Sequence, residues 1–142
     1  KLGEDLLYSS PSQFPPPPKS QAIFVVASDF YDPVDVWRER LAPLASRSKE
    51  GVLLSVSDPM EETFPWQGRV RFSRPGDALF RIFGRAETIR ERYLERFAAH
   101  NQAMEALATG MGWQYVRHST GNAVELGGAS LKAALEAFGA RQ

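Results

Sequence analysis

Two runs in this chain end alike: Ile23-Phe-Val-Val-Ala-Ser-Asp29 and Val52-Leu-Leu-Ser-Val-Ser-Asp58. Each is short, apolar and rich in β-branched residues, and each stops at Ser-Asp before a turn. Uninterrupted apolar runs of this length fit strands buried on both faces, the habit of a parallel sheet. Pro33 to Ser48, between them, reads as a helix, so the three segments form a strand-helix-strand crossover. Open parallel sheets keep their ligands outside the carboxyl ends of the strands. Asp29 and Asp58 are therefore expected at one shared edge, where such a fold holds its chemistry.

The rest of the chain extends this plan. In the first helix Asp32 reads as the N-cap and Pro33 as the first helical residue, with Asp35 favouring the positive end of the dipole. Trp37, Leu41, Leu44 and Ala45 recur at helical spacing and are assigned to the face on the sheet. Pro43 has no donor and crowds the carbonyl of Glu39, so a kink or an early end is expected there. Arg69 to Phe72 and Ala78 to Phe83 alternate around Pro75-Gly76-Asp77, a hairpin signal that sets Val70 and Phe72 on one face with Phe80 and Ile82.

Arg85 to Met111 reads as a long helix with Ile89, Tyr93, Phe97, Met104, Leu107 and Met111 on one stripe. Burying such side chains contributes roughly 1.5–3 kcal/mol each, against a few tenths for each surface ion pair. Docking on the sheet is thus favoured over a coiled coil. Gly110 and Gly112 end this helix, Trp113 to Thr120 returns as a third strand, and Ala123 to Phe138 gives a last helix weakened by Gly127-Gly128.

The expected fold is α/β: a partial doubly wound parallel sheet of at least three strands, with flanking helices and a β-hairpin insertion. Residues 1–20 are set apart as a short helix, Leu2 to Ser9, and a proline-rich linker. Pro11 and the run Pro15 to Pro18 favour the extended polyproline II form. A stiff connector into the first strand is preferred there to an SH3-type ligand. Residues 21–142 form the folded part.

Lys+Arg and Asp+Glu both number 17, so no general attraction to nucleic acid or anionic lipid follows from charge. The chain has no cysteine, which excludes disulfides, thiolate zinc sites and a cysteine nucleophile, and fits a reducing compartment. No apolar stretch approaches the roughly 18 residues of a membrane helix, and no signal-peptide pattern opens the chain. A cytoplasmic protein without a membrane span is expected. The start at Lys1-Leu-Gly-Glu reads as that of an expressed, mature or proteolytic piece.

Strand-end carboxylates such as Asp29 and Asp58 are hard oxygen ligands suited to Mg²⁺, or acid/base groups if their ionisation is perturbed. The structural alternative is that Asp58 opens the turn with Pro59 while Asp29 caps the loop before the helix. For Asp58 the structural role is favoured; for Asp29 both stay open. A metal cluster of Asp29, Asp32 and Asp35 is disfavoured, because the last two have capping work. Glu61 and Glu62 are read as solvated charges in a loop. Nothing places His100 or His118 beside a nucleophile, and no phosphate loop, H-E-x-x-H or G-x-S-x-G motif is present. Arg69, Arg71, Arg74 and Arg81 alternate with aromatics as in RNA-binding surfaces, but at zero net charge a solvated face is favoured.

Several strings together carry a family likeness. They are Phe24-Val-Val-Ala-Ser-Asp29-Phe30, Asp32-Pro33, Trp37 with Leu41-Ala-Pro-Leu44, and Val56-Ser-Asp58-Pro59 with Glu61. Phe64-Pro65, Gly68-Arg-Val-Arg-Phe72, Ile89-Arg-Glu-Arg-Tyr93 and Gly112-Trp113 with Thr120 continue it. In these the chain resembles the bacterial domain-of-unknown-function 58 family, a von Willebrand factor type A-like group often encoded beside MoxR-type AAA+ ATPases. The resemblance implies the carboxyl half of such a domain. It also implies a non-enzymatic protein-interaction module that works with that ATPase in assembling or maturing protein complexes. A metal-dependent phosphoryl-transfer or hydrolytic enzyme using Asp29 and Asp58 is the alternative, and a nucleic-acid-binding module the third reading.

The type A metal site comprises an Asp-x-Ser-x-Ser, a threonine and a second aspartate, and only that last position maps here, onto Asp29. The resemblance thus implies Mg²⁺ in the intact parent domain and none in this chain. In the same plan a further strand lies beside Ile23 to Ala27. Without it these residues become a sheet edge, to be covered by Leu2–Tyr8 or paired with another copy, so a homodimer through that edge is expected.

Overall fold

A computed structural model describes residues 23–48, 50–67, 69–72 and 82–139, with the backbone alone for 69–72, 82–88 and 139. The expectations for Leu2–Ser9, the proline run and the Pro75-Gly76-Asp77 turn lie outside the described residues. Within them the order is β1 (Phe24–Ser28), α1 (Val34–Ala45), β2 (Gly51–Ser57), α2 (Pro59–Thr63), β3 (Arg69–Phe72), β4 (Ile82–Arg85), α3 (Ala86–Gly110), β5 (Gln114–Ser119) and α4 (Val124–Gly139).

β1, β2 and β5 form a parallel sheet in the order β1-β2-β5, with Val25 opposite Val52 and Leu53 opposite Tyr115. Side-chain alternation then sorts the layers. Val26 and Leu53 face Leu41 and Leu44 of α1 and Met104 and Ala108 of α3. Val52 and Val116 face the opposite way, toward Ala134 and Phe138 of α4. The chain is therefore α/β, with a parallel sheet between helices as its pattern implies. Trp37 is 2% exposed and Leu41 fully buried, so the apolar stripe of α1 lies on the sheet as its spacing predicts.

Burial on both faces holds for β2, whose Val52 and Leu53 are fully buried, but not for β1. Ile23 is 42% and Val25 44% exposed, and Ala27 is exposed beside them. The cause lies in the packing: the apolar cluster of α4 is built on Val52 of β2 and Val116 of β5, and among the described residues it does not extend over that face of β1.

Three local expectations are corrected. The N-cap of α1 is Pro33, with no side-chain capping bond, because the Asp32 carboxylate reaches Arg40 at 2.5 Å instead. Pro43 does not stop the helix, which runs to Ala45, and Ser46 still donates to the Ala42 carbonyl at 2.9 Å. Glu39 and Pro43 are both exposed, so the carbonyl that Pro43 leaves unbonded has water within reach. The described part of the hairpin's second arm is Ile82–Arg85, which reaches past Phe83, with Phe72 opposite Ile82 and Gly84 opposite Val70; Ala78 to Arg81 lie outside the described residues. Glycine lowers strand propensity, yet its N–H and C=O still join a ladder. Gly127 also gives α4 room to dock: a Cβ there would stand 2.8 Å from Nδ1 of His118.

The stripe of α3 divides. Met104 is buried, and Leu107 and Met111 pack on the main core. Tyr93 instead lies 5.0 Å from the ring of Phe64 and 6.2 Å from that of Phe97. The helix thus docks on the sheet through its second half and on the α2 region through its first.

Candidate functional site

The strands run parallel, so β1 and β2 end at one edge, as their matching Ser-Asp termini imply. Ser28 is in register with Ser55, and β2 continues two residues further. Asp58 therefore stands about 6–7 Å beyond Asp29 along the strand direction, at ~3.3 Å per residue. Each carboxylate is turned to its own backbone. Oδ1 of Asp29 accepts the Tyr31 N–H at 3.2 Å and the Ser28 hydroxyl at 3.3 Å, while Ser28 Oγ accepts the Phe30 N–H at 3.2 Å. These bonds turn the chain so that Phe30 adopts φ 54°, in the left-handed region. Its ring, 1% exposed, then sits 4.7 Å from Trp37 and 6.2 Å from Tyr115. The left-handed backbone costs about 1–2 kcal/mol, which burial of a phenylalanine at roughly 1.5–3 kcal/mol offsets. Nε2 of His100 donates to the Phe30 carbonyl at 2.7 Å and ties α3 to this corner.

Asp58 is the N-cap of α2, as its structural reading requires. It accepts the Met60 N–H at 2.7 Å, and the Glu61 carboxylate accepts the Asp58 N–H at 3.1 Å, closing a capping box. Asp58→Ala should cost about 1 kcal/mol, within the range for lost caps. Urea unfolding measures this, and an unchanged midpoint would show that the box contributes nothing.

Glu61 and Glu62 lie on α2, not in a loop. That short helix was legible in the D-x-x-E spacing with Pro59 at the first position. Glu62 accepts the Ser57 hydroxyl at 2.5 Å and lies 3.7 Å from Arg117, whose guanidinium stands 5.9 Å over the Phe97 ring. A groove of about 450 Å³ between α3 and β5 is lined by Glu62, Phe97, Asn101, Tyr115 and Arg117 among others. The Tyr115 hydroxyl donates to Asn101 Oδ1 at 2.7 Å, and Asn101 Nδ2 donates to the Phe97 carbonyl at 2.9 Å. The groove is framed by groups bonded to one another.

Three tyrosines around this edge hold their protons above the ordinary range. Burial is the main cause at Tyr31, Tyr93 and Tyr115; the hydrogen bond to Glu61 adds to it at Tyr31, and the Glu61 charge at Tyr93. At Tyr115 the bond to Ser55 and the Arg117 charge pull the other way. A proton held more tightly in the folded state stabilises it fully below the unfolded tyrosine value of about 10, and that contribution is lost as pH rises through the folded value. Stability should therefore fall above about pH 10, and Tyr115→Phe should flatten the fall. A denaturation midpoint that stays level across this range overturns the assignment.

Among the described residues no group of three His, Cys, Asp or Glu side chains is placed to hold a metal ion. Asp32 pairs with Arg40 and Asp35 with Arg38, so Asp29, Asp32 and Asp35 do not converge. Mg²⁺ demands near-octahedral oxygen coordination, and Asp29 brings a carboxylate already engaged by Tyr31 and Ser28. The expected calorimetric result is no saturable Mg²⁺ binding at micromolar metal. A stoichiometric isotherm lost in Asp29→Ala would reverse this. His118 packs under Gly127. Arg74 and Arg81 lie outside the described residues, as do the side chains of Arg69 and Arg71. No described helix is long and apolar enough to cross a membrane.

The other exposed feature is β1 itself, at one end of the sheet order. Phe24 gives its N–H to the Glu50 carbonyl, on the β2 side. By the alternation of an extended strand, Ile23, Val25 and Ala27 direct both backbone groups outward, and these are the residues whose side chains are exposed. β5, at the opposite end, carries Gln114, Arg117 and His118 and has α3 and α4 on its two faces.

A family model described as "Protein of unknown function DUF58" matches residues 9–103, ending within α3. No curated protein and no solved structure matches the chain.

Proposed function

This chain belongs to the family of proteins of unknown function DUF58, and from that premise we propose that it is a non-enzymatic protein-interaction module whose docking element is β1. The observation that carries the reading is the exposure of Ile23, Val25 and Ala27 on a strand of a parallel sheet. Such strands are normally covered on both faces, and an uncovered apolar edge recruits another chain. The engagement of Asp29 in a turn and of Asp58 in a cap supports an interaction role over catalysis.

The family resemblance supplies the partner class, a MoxR-type AAA+ ATPase, and the setting, assembly or maturation of protein complexes in the cytoplasm. Binding of the purified chain to a MoxR-type ATPase of the same genome tests this by interferometry. Val25→Lys should weaken binding at least tenfold while the melting curve stays that of the parent, since Val25 is an exposed position. Binding that ignores Val25→Lys, or that never occurs, would overturn the proposal. Mg²⁺-dependent phosphatase activity lost in Asp29→Ala would favour the enzymatic reading.

A further inference from the structure

We infer that the rim at the carboxyl ends of the three parallel strands is a second interaction surface, fitted to a protein segment that carries apolar side chains beside Lys or Arg. This surface is separate from β1 and does not rest on the reading of β1 as a docking element.

Apart from Ile23 and Val25, the large apolar side chains exposed among the described residues are Tyr31, Met60, Val124 and Leu126, at 48% to 80%. Tyr31 follows β1, Met60 lies just beyond β2, and Val124 and Leu126 open α4 after β5. The parallel order brings all four to one end of the sheet. Contacts join the three loops. The Tyr31 phenol is bonded to Glu61 of α2. The Thr120 N–H donates to the Ser57 carbonyl at 2.8 Å, and a Cβ on Gly121 would stand 2.5 Å from Cγ of Pro59. Exposed apolar residues gathered in this way and rimmed by polar ones mark interaction sites, and Tyr and Met are enriched in protein interfaces. A further strand beside β1 would widen the sheet without crossing this end, and the residues before Ile23 join β1 at its opposite end.

The charge of the rim selects the partner. Residues 29–35, 58–63 and 119–126 hold seven carboxylates and no Lys or Arg, in a chain whose net charge is zero. Arg38, Arg40 and Arg117, from outside these segments, pair with Asp35, Asp32 and Glu62. Asp29, Asp58, Glu61 and Glu125 form no ion pair among the described residues. Uncompensated negative charge around an apolar patch repels an anionic lipid surface and attracts a basic segment of a protein.

Fluorescence anisotropy with a labelled helical peptide of Leu and Lys tests this, beside a Leu/Glu peptide of the same length and phosphatidylglycerol vesicles. The Leu/Lys peptide should bind saturably, and at least about fivefold more weakly as salt rises from ~0.05 M to ~0.5 M. Met60→Ser combined with Val124→Ser should weaken it at least about tenfold. The melting curve should stay that of the parent, since both side chains are exposed. Glu125→Lys should weaken binding, whereas Glu136→Lys, the same charge change toward the other end of α4, should not. Binding that survives the double serine variant, that falls equally in Glu125→Lys and Glu136→Lys, or that the Leu/Glu peptide matches, overturns the inference. Tight binding to the vesicles would assign the rim to lipid and overturn it as well. The peptide should bind Val25→Lys as it binds the parent; loss there would place it on β1 and remove the rim as a separate surface. If peptide binding follows the rim variants while the ATPase ignores Val25→Lys, the proposed function fails and this inference stands.

Discussion

Trp37→Ala is expected to lower stability by roughly 3–5 kcal/mol, the range for truncating a large buried aromatic. The side chain is 2% exposed and sits 4.7 Å from the ring of Phe30, whose corner shapes the end of β1. Its removal empties the junction of α1, the Phe30 turn and the sheet. The Arg40 guanidinium, 5.2 Å over the indole, loses its aromatic partner as well. Among the described residues the indole Nε1 has no hydrogen-bond partner, and an unpaired buried donor costs about 1–3 kcal/mol. Trp37→Phe keeps much of the ring, drops that donor, and should therefore cost well under half as much as Trp37→Ala. Urea denaturation with an unchanged slope reads both values. Equal losses in the two variants would mean that the bicyclic shape, not apolar burial, is what the site requires.

The second large effect is expected at Gly51. A Cβ built there falls 2.4 Å from Cδ2 of Trp113. The indole has little room to retreat: it stacks on Phe24 at 6.0 Å, and its Nε1 donates to the Ser48 carbonyl at 3.1 Å. Gly51→Ala should thus combine overpacking, about 1–3 kcal/mol, with strain on that hydrogen bond, about 1 kcal/mol. A loss of roughly 2–4 kcal/mol follows. Adding Trp113→Leu makes space, so the double variant should be more stable than the sum of the single losses predicts. Strict additivity would show that the two residues do not press on each other.

Gly51 and Gly127 mark where reading a sequence by propensity runs out. In the chain both look like permissive residues, one before a strand and one weakening a helix. In the structure each is a point of close approach, to Trp113 and to His118, and an alanine fails there for reasons of space rather than backbone freedom. His100 is of the same kind: its partner, the Phe30 carbonyl, is 70 residues away, and no local pattern announces it.

Periodicity and punctuation were enough for β1, α1, β2, α3, β5 and α4. Continuous apolar runs ending in Ser-Asp specified parallel strands with a common carboxyl edge, and helical spacing oriented Trp37 and Leu41, whereas the loop expected at Glu61 and Glu62 proves to be α2, whose capping box the D-x-x-E beside Pro59 carries. These signals are local, because hydrogen-bond geometry repeats every two or 3.6 residues whatever the chain meets later. Only the tertiary structure decided how much of each element is covered. The runs that end at Asp29 and Asp58 are both largely apolar. β2 is enclosed on both faces because it is central, whereas among the described residues Ile23 and Val25 stay 42% and 44% exposed, since the apolar cluster of α4 is built on Val52 and Val116. Burial is a property of neighbours, and that difference turned two matching strings into one core strand and one candidate interface.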